Sequence, residues 1–148
     1  MSPEQLFSLC GALVLPGWLL LVFLPRRRWA SRVVCPVVIP LALAAVYLWL
    51  AATTFGRTPG GFGSLEEVSQ LFQNRWALLA GWIHYLAFDL FVGSWEVRDA
   101  QRAGVRHLLV VPCLLLTFLF GPVGLLLYFG LRAALRRRVA VGVEGAAS

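Results

Sequence analysis

The sequence predicts an all-α fold: an integral membrane bundle of four transmembrane helices, with a short amphipathic interfacial helix before the third. Three observations predict it. Of 148 residues, 59% are hydrophobic and only 14% charged. The charges fall between four long apolar runs, of which 6–24, 33–52 and 108–131 contain none. A helix needs about 20 apolar residues to cross roughly 30 Å of hydrocarbon, and a soluble chain of this length has no interior that would hide four such helices. Residues 1–148 therefore read as one transmembrane domain, with spans at about 6–24, 33–52, 76–97 and 108–131.

The first run follows MSPEQ, which carries Glu4 and neither lysine nor arginine, and no small-x-small site ends it. It is expected to stay as a helix rather than to be cleaved as a signal. Prolines mark three spans: Pro16 beside Gly17 in the first, Pro36 and Pro40 at the start of the second, Pro112 and Pro122 in the fourth. A mid-membrane proline frees a carbonyl and bends its helix, and glycines such as Gly121 and Gly124 allow a neighbour to approach closely. Between the second and third spans, Ser64 reads as an N-cap followed by Glu66 and Glu67. Leu65, Val68, Leu71 and Phe72 then recur at helical spacing, so 64–73 is the interfacial segment.

The net charge of +6 comes from 13 arginines and no lysine. They cluster at the ends of the apolar runs, where guanidinium groups snorkel to headgroups. The partners this implies are membrane lipids, with no nucleic acid. Cys10, Cys35 and Cys113 lie in separate apolar runs without CxxC spacing and read as small buried hydrophobes. Orientation is contested. The basic connection 25–32 belongs in the cytoplasm, and four spans then leave the arginine tail outside. Seven arginines (26, 27, 28, 32, 98, 102 and 106) face six (57, 75, 132, 136, 137 and 138), a bias too small to decide.

The third span carries the chemistry. Asp89 lies near the centre of GWIHYLAFDLFVGSWEVRD. A charged side chain at that depth costs roughly 2.5–3.5 kcal/mol on insertion scales, so it faces the bundle interior with a proton, a partner or a ligand. On a helix, Trp82, Tyr85, Asp89, Val92, Glu96 and Asp99 form one stripe. His84 is displaced from Asp89 by about 140° and about 7.5 Å of rise, and addresses the same ligand only from another side of a pocket.

Three readings compete for Asp89. It is an acid/base group steadied by Tyr85 or His84; it is part of a metal site with His84, Glu96 and Asp99, whose spacing fits neither HExxH nor Glu-x-x-His; or it hydrogen-bonds with Tyr85 to Thr117 or a kink-freed carbonyl. The first is preferred, with Asp89, Tyr85 and His84 catalytic, and no metal or other cofactor. Glu96 and Asp99 are expected to pair with Arg98, Arg102 or the arginine tail at the interface. Trp82, Tyr85 and Phe88 line a channel for a flat or elongated apolar ligand, or pack between helices. Trp76 and Trp95 anchor the ends of the span.

At these residues the chain resembles the ABA4-like family (DUF4281), small four-helix membrane proteins whose plant members act in forming neoxanthin from violaxanthin. The resemblance rests on NRWALLAGWIHYLAFDLFVGSWEVRDAQR, 74–102, and on GPVGLLLY, 121–128. By position it marks Asn74, Arg75, Trp82, His84, Tyr85, Asp89, Trp95, Asp99, Gly121, Pro122 and Gly124. Among these it adds Asn74, Arg75, Trp95, Gly121 and Gly124 to the substrate-binding set of Trp82 and Phe88. It implies a carotenoid or isoprenoid ligand and an isomerase that acts on the end group through a buried carboxylic acid. The alternative is a non-catalytic component that binds lipid or carotenoid or scaffolds a partner membrane enzyme, and the third reading is a small transporter or proton-conducting subunit. With no Ser/Arg-rich transit segment before the first span, the resemblance points to a relative in a bacterial inner (plasma) membrane. Four helices enclose little volume, which favours a homo-oligomer or a partner enzyme.

Overall fold

The computed structural model describes residues 1–136. Among them there is no strand, and the order is α1 (Pro3–Phe23), a π-helical segment (Ala30–Val38) running into α2 (Ile39–Thr54), α3 (Leu65–Gln73), α4 (Arg75–Ala103), α5 (His107–Phe120) and α6 (Pro122–Arg136). The all-α expectation holds.

Local chemistry sets the helix starts. Ser2 caps α1 in a reciprocal capping box with Gln5, Ser64 caps α3 by accepting from Glu67 N, and the Asn74 side chain accepts from Trp76 N and Ala77 N at the head of α4. Losing such a cap typically costs about 1 kcal/mol. Asn74→Ala is therefore expected to lower stability by about that much, read as a reduced unfolding midpoint in detergent. Gly104, at φ +66, ends α4 in the left-handed conformation that glycine adopts without strain.

Three helices are long and apolar enough to cross a membrane: α1, the continuous stretch Ala30–Thr54, and α4. The central helix is α4. Against it α1 runs parallel, with Glu4 paired to Arg75 at one end and the Trp18 ring on Gly93 further along. The π segment and α2 run the other way, from Ser31 beside Arg98 to Trp49 beside Trp76, 6.3 Å between rings. Many large apolar side chains face outward, including Phe7, Leu19, Leu41, Leu48 and Leu126, as lipid-facing surfaces require.

The fourth expected span, 108–131, is not one helix. It breaks at Gly121 (φ +47, ψ −96) into helices of 14 and 15 residues, each too short to cross by itself. The two fold back on each other. A Cβ on Gly124 would collide with Thr117 N and Oγ1 and with the Cys113 carbonyl, atoms that lie about 10 and 16 Å away along a continuous helix. From His107, which bonds the Val22 carbonyl at 2.8 Å, α5 climbs α4 to the level of Asp89. Then α6 returns to Asp99, where Tyr128 and Arg132 meet it. Four transmembrane helices thus give way to three long ones plus a helical hairpin. The return of α6 adds Arg132 to Arg26, Arg27, Arg28, Arg32, Arg98, Arg102 and Arg106 at one end of the bundle, with Arg57 and Arg75 at the other.

Candidate functional site

Asp89 is the fifteenth of the 29 residues of α4, about 21 Å from either end. The tip of the hairpin closes over it. A Cβ on Gly121 would stand 3.0 Å from Asp89 Oδ1 and 3.3 Å from Oδ2, a close approach made at a positive φ that glycine adopts without strain. Asp89 Oδ2 is buried and has no hydrogen-bond partner. Two opposed influences act on the carboxyl: its apolar surroundings disfavour charge, whereas the N-terminal end of α6 favours an anion.

Tyr85, one turn away, neighbours the carboxyl and donates its hydroxyl to the Phe118 carbonyl at 3.3 Å. That carbonyl is four residues before Pro122, which has no N–H to give it. A side chain of α4 supplies the missing donor. The same device recurs at the arginine-rich end. In the i→i+5 pattern of a π-helix the Ser31 carbonyl would be taken by residue 36, a proline. Arg98 Nη1 donates to it instead at 2.8 Å.

The Trp82 ring stacks on Tyr85 (5.4 Å, 26°) and lies 5.4 Å from Phe7. Phe7 and Trp82, with Pro3, Glu4, Ser8, Arg75, Leu78 and Leu79, line a groove of about 410 Å³ between α1 and α4. Its walls are apolar and its rim carries the Glu4–Arg75 pair. The groove stops at Trp82, and Asp89 lies about 10 Å further along the helix.

The structure does not bring every predicted residue to this place. His84 is exposed on another face, stacked on Phe88 at 4.4 Å and facing Tyr47 at 5.8 Å; the helical offset from Asp89 keeps them apart. Phe88 is 58% exposed and points outward. Asn74 is occupied as a cap. Trp95 packs on Tyr128 and Phe129, and Gly124 is where α6 crosses α5. Among the described residues no group of three or more His, Cys, Asp or Glu side chains could hold a metal ion.

Sequence reasoning missed a buried polar layer below Asp89. Glu96 is fully buried, with Oε1 accepting from Thr117 Oγ1 at 3.0 Å and Oε2 unpartnered. Thr117, considered above for Asp89, serves Glu96 instead. Asp99 Oδ2 accepts from Tyr128 at 2.6 Å and pairs with Arg132 Nε at 2.7 Å. Asp99 thus meets an arginine of the tail, as expected, though buried rather than at the interface, whereas Glu96 pairs with no arginine among the described residues; Arg98 bonds Ser31 O and Ser94 Oγ. The available signal was the i, i+4 spacing of Tyr128 and Arg132, which puts both on one face of α6.

A protein-family model described as ABA DEFICIENT 4-like matches residues 5–128. The chain belongs to the ABA4-like family. No curated protein and no solved structure matches it. The match takes in all of α4, the hairpin tip at Gly121 and α6 as far as Tyr128. This ABA4-like chain therefore carries its central acid, most of its groove and most of its buried polar layer inside the family's shared region.

Proposed function

We propose that the chain is a membrane isomerase that rearranges the end group of a carotenoid-like isoprenoid, with Asp89 as the acid. The observation that carries the reading is the buried, unpartnered Asp89 oxygen beneath the Gly121 tip. Carboxyl groups at such depth commonly mark functional sites. A ligand body would occupy the apolar groove, with a polar end near the Glu4–Arg75 rim. Its reacting end would pass the Trp82 and Tyr85 rings toward Asp89. The step balances without an oxidant: Asp89 lends a proton to the oxygen of a strained ring, the C–O bond opens, and a proton leaves a neighbouring carbon for the carboxylate. The membrane in question is the bacterial inner membrane. His84, on the outer face, has no part in this reading.

The test is pigment analysis of a carotenoid-producing host expressing wild type or Asp89→Asn at equal membrane levels, with epoxidised and non-epoxidised substrates. A general acid contributes about 10²–10⁴-fold, so Asp89→Asn is expected to lower product formation at least about a hundredfold while the fold survives. Unchanged pigment with folded wild-type protein would overturn the reading and favour the binding or scaffolding role; equal turnover by both forms would remove Asp89 from the chemistry.

A further inference from the structure

We propose a second site at the arginine-rich end: Arg32, Arg98 and Arg102 together hold the phosphate of an anionic phospholipid. Arg98 and Arg102 are one turn apart on α4. Arg98 is anchored by its bonds to the Ser31 carbonyl and Ser94 Oγ, and the first of these sets it beside the next residue, Arg32. The charged neighbours acting on Arg98 are Arg102 and Arg32. None of the three makes an ion pair among the described residues, where the only ion pairs are Glu4–Arg75 and Asp99–Arg132.

Like charges placed this way repel. Arg98 cannot relieve the repulsion by swinging away, because the carbonyl orphaned by Pro36 holds it. An anion between the three guanidiniums supplies what the other described residues do not, and guanidinium groups match phosphate with paired donors. The surroundings select a lipid as its source. Trp29, Val33 and Phe23 are 52%, 49% and 72% exposed close by, an apolar skirt on which acyl chains would lie. Arg32 and Arg102 themselves are exposed and can be changed without disturbing packing.

The test uses the full chain in a neutral detergent, titrated with phosphatidylglycerol or phosphatidylcholine of identical acyl chains and read by native mass spectrometry. Each arginine near a headgroup is worth about fivefold in affinity. The double variant Arg32→Gln/Arg102→Gln is expected to cut the preference for phosphatidylglycerol roughly thirtyfold, while Arg57→Gln at the opposite end leaves it unchanged. Equal binding of the two lipids by wild type would overturn the site, as would an equal loss in Arg57→Gln, which would mean diffuse attraction. Displacement of phosphatidylglycerol by inorganic phosphate at on the order of 10 mM would overturn the lipid source in favour of a soluble phosphate, because a lipid held also by its chains should resist it. No pigment enters the measurement, so it stands or falls apart from the role of Asp89.

Discussion

Thiol labelling is expected to place the start of α1 and the end of α6 on opposite sides of the membrane. Three helices, α1, Ala30–Thr54 and α4, are long and apolar enough to carry the chain across three times. The α5–α6 hairpin then dips to the level of Asp89 and returns to the face it left, since Arg132 on α6 and His107 on α5 both lie at the arginine-rich end. With that end cytoplasmic, the basic residues whose side chains are described obey the positive-inside rule: Arg26, Arg27, Arg28, Arg32, Arg98, Arg102, Arg106 and Arg132 lie there, against Arg57 and Arg75 outside. In cells carrying a cysteine-free background, an impermeant maleimide should label Ser2→Cys and Thr58→Cys. It should spare Arg28→Cys, Arg106→Cys and Ala134→Cys, the last exposed near the end of α6. Labelling of Ala134→Cys together with Ser2→Cys would mean four crossings, and the hairpin would be wrong.

The second large effect is on stability. Arg132→Met is expected to destabilise the protein by about 3–5 kcal/mol. Arg132 and Asp99 each have side chains only 10% exposed, and the variant leaves the Asp99 carboxylate with the Tyr128 hydroxyl and no countercharge from Arg132. Breaking a buried pair from one side is costly because the remaining charge has already lost its water. Asp99→Asn combined with Arg132→Met should recover much of the loss, since the orphaned charge is gone. Unfolding in mixed micelles, followed by the tryptophan signal, measures both. A loss under 1 kcal/mol for the single variant would mean that water or lipid headgroups reach Asp99, and the return of α6 to α4 would not depend on this pair.

Both effects arise from the return of the chain at Gly121, a feature that local pattern does not encode. Apolar runs, caps and helical phase are properties of short segments. They suffice for the long helices, for the Ser64 cap, and for the stripe that links Trp82, Tyr85, Asp89, Glu96 and Asp99. They also suffice to separate His84 from Asp89 by angle. The run 108–131 is equally apolar throughout, so its hydropathy is that of a span whether it continues or reverses.

Reversal was decided by partners far away in sequence. A helix broken at Gly121 leaves carbonyls without donors, and in hydrocarbon such groups must be satisfied by other parts of the protein. Tyr85 answers for Phe118, 33 residues away, and Tyr128 and Arg132 find Asp99 only because α6 comes back. The same reversal gives Thr117 to Glu96, sets Gly121 on Asp89 and moves Arg132 to the end where the basic loops lie. The sequence by itself determined which segments are helical, which are apolar and which residue is the mid-membrane acid, because those depend on neighbours within a few turns. Tertiary structure alone decided where the fourth apolar run turns and what each buried polar group meets, because that balance is struck between atoms that the chain brings together only on folding.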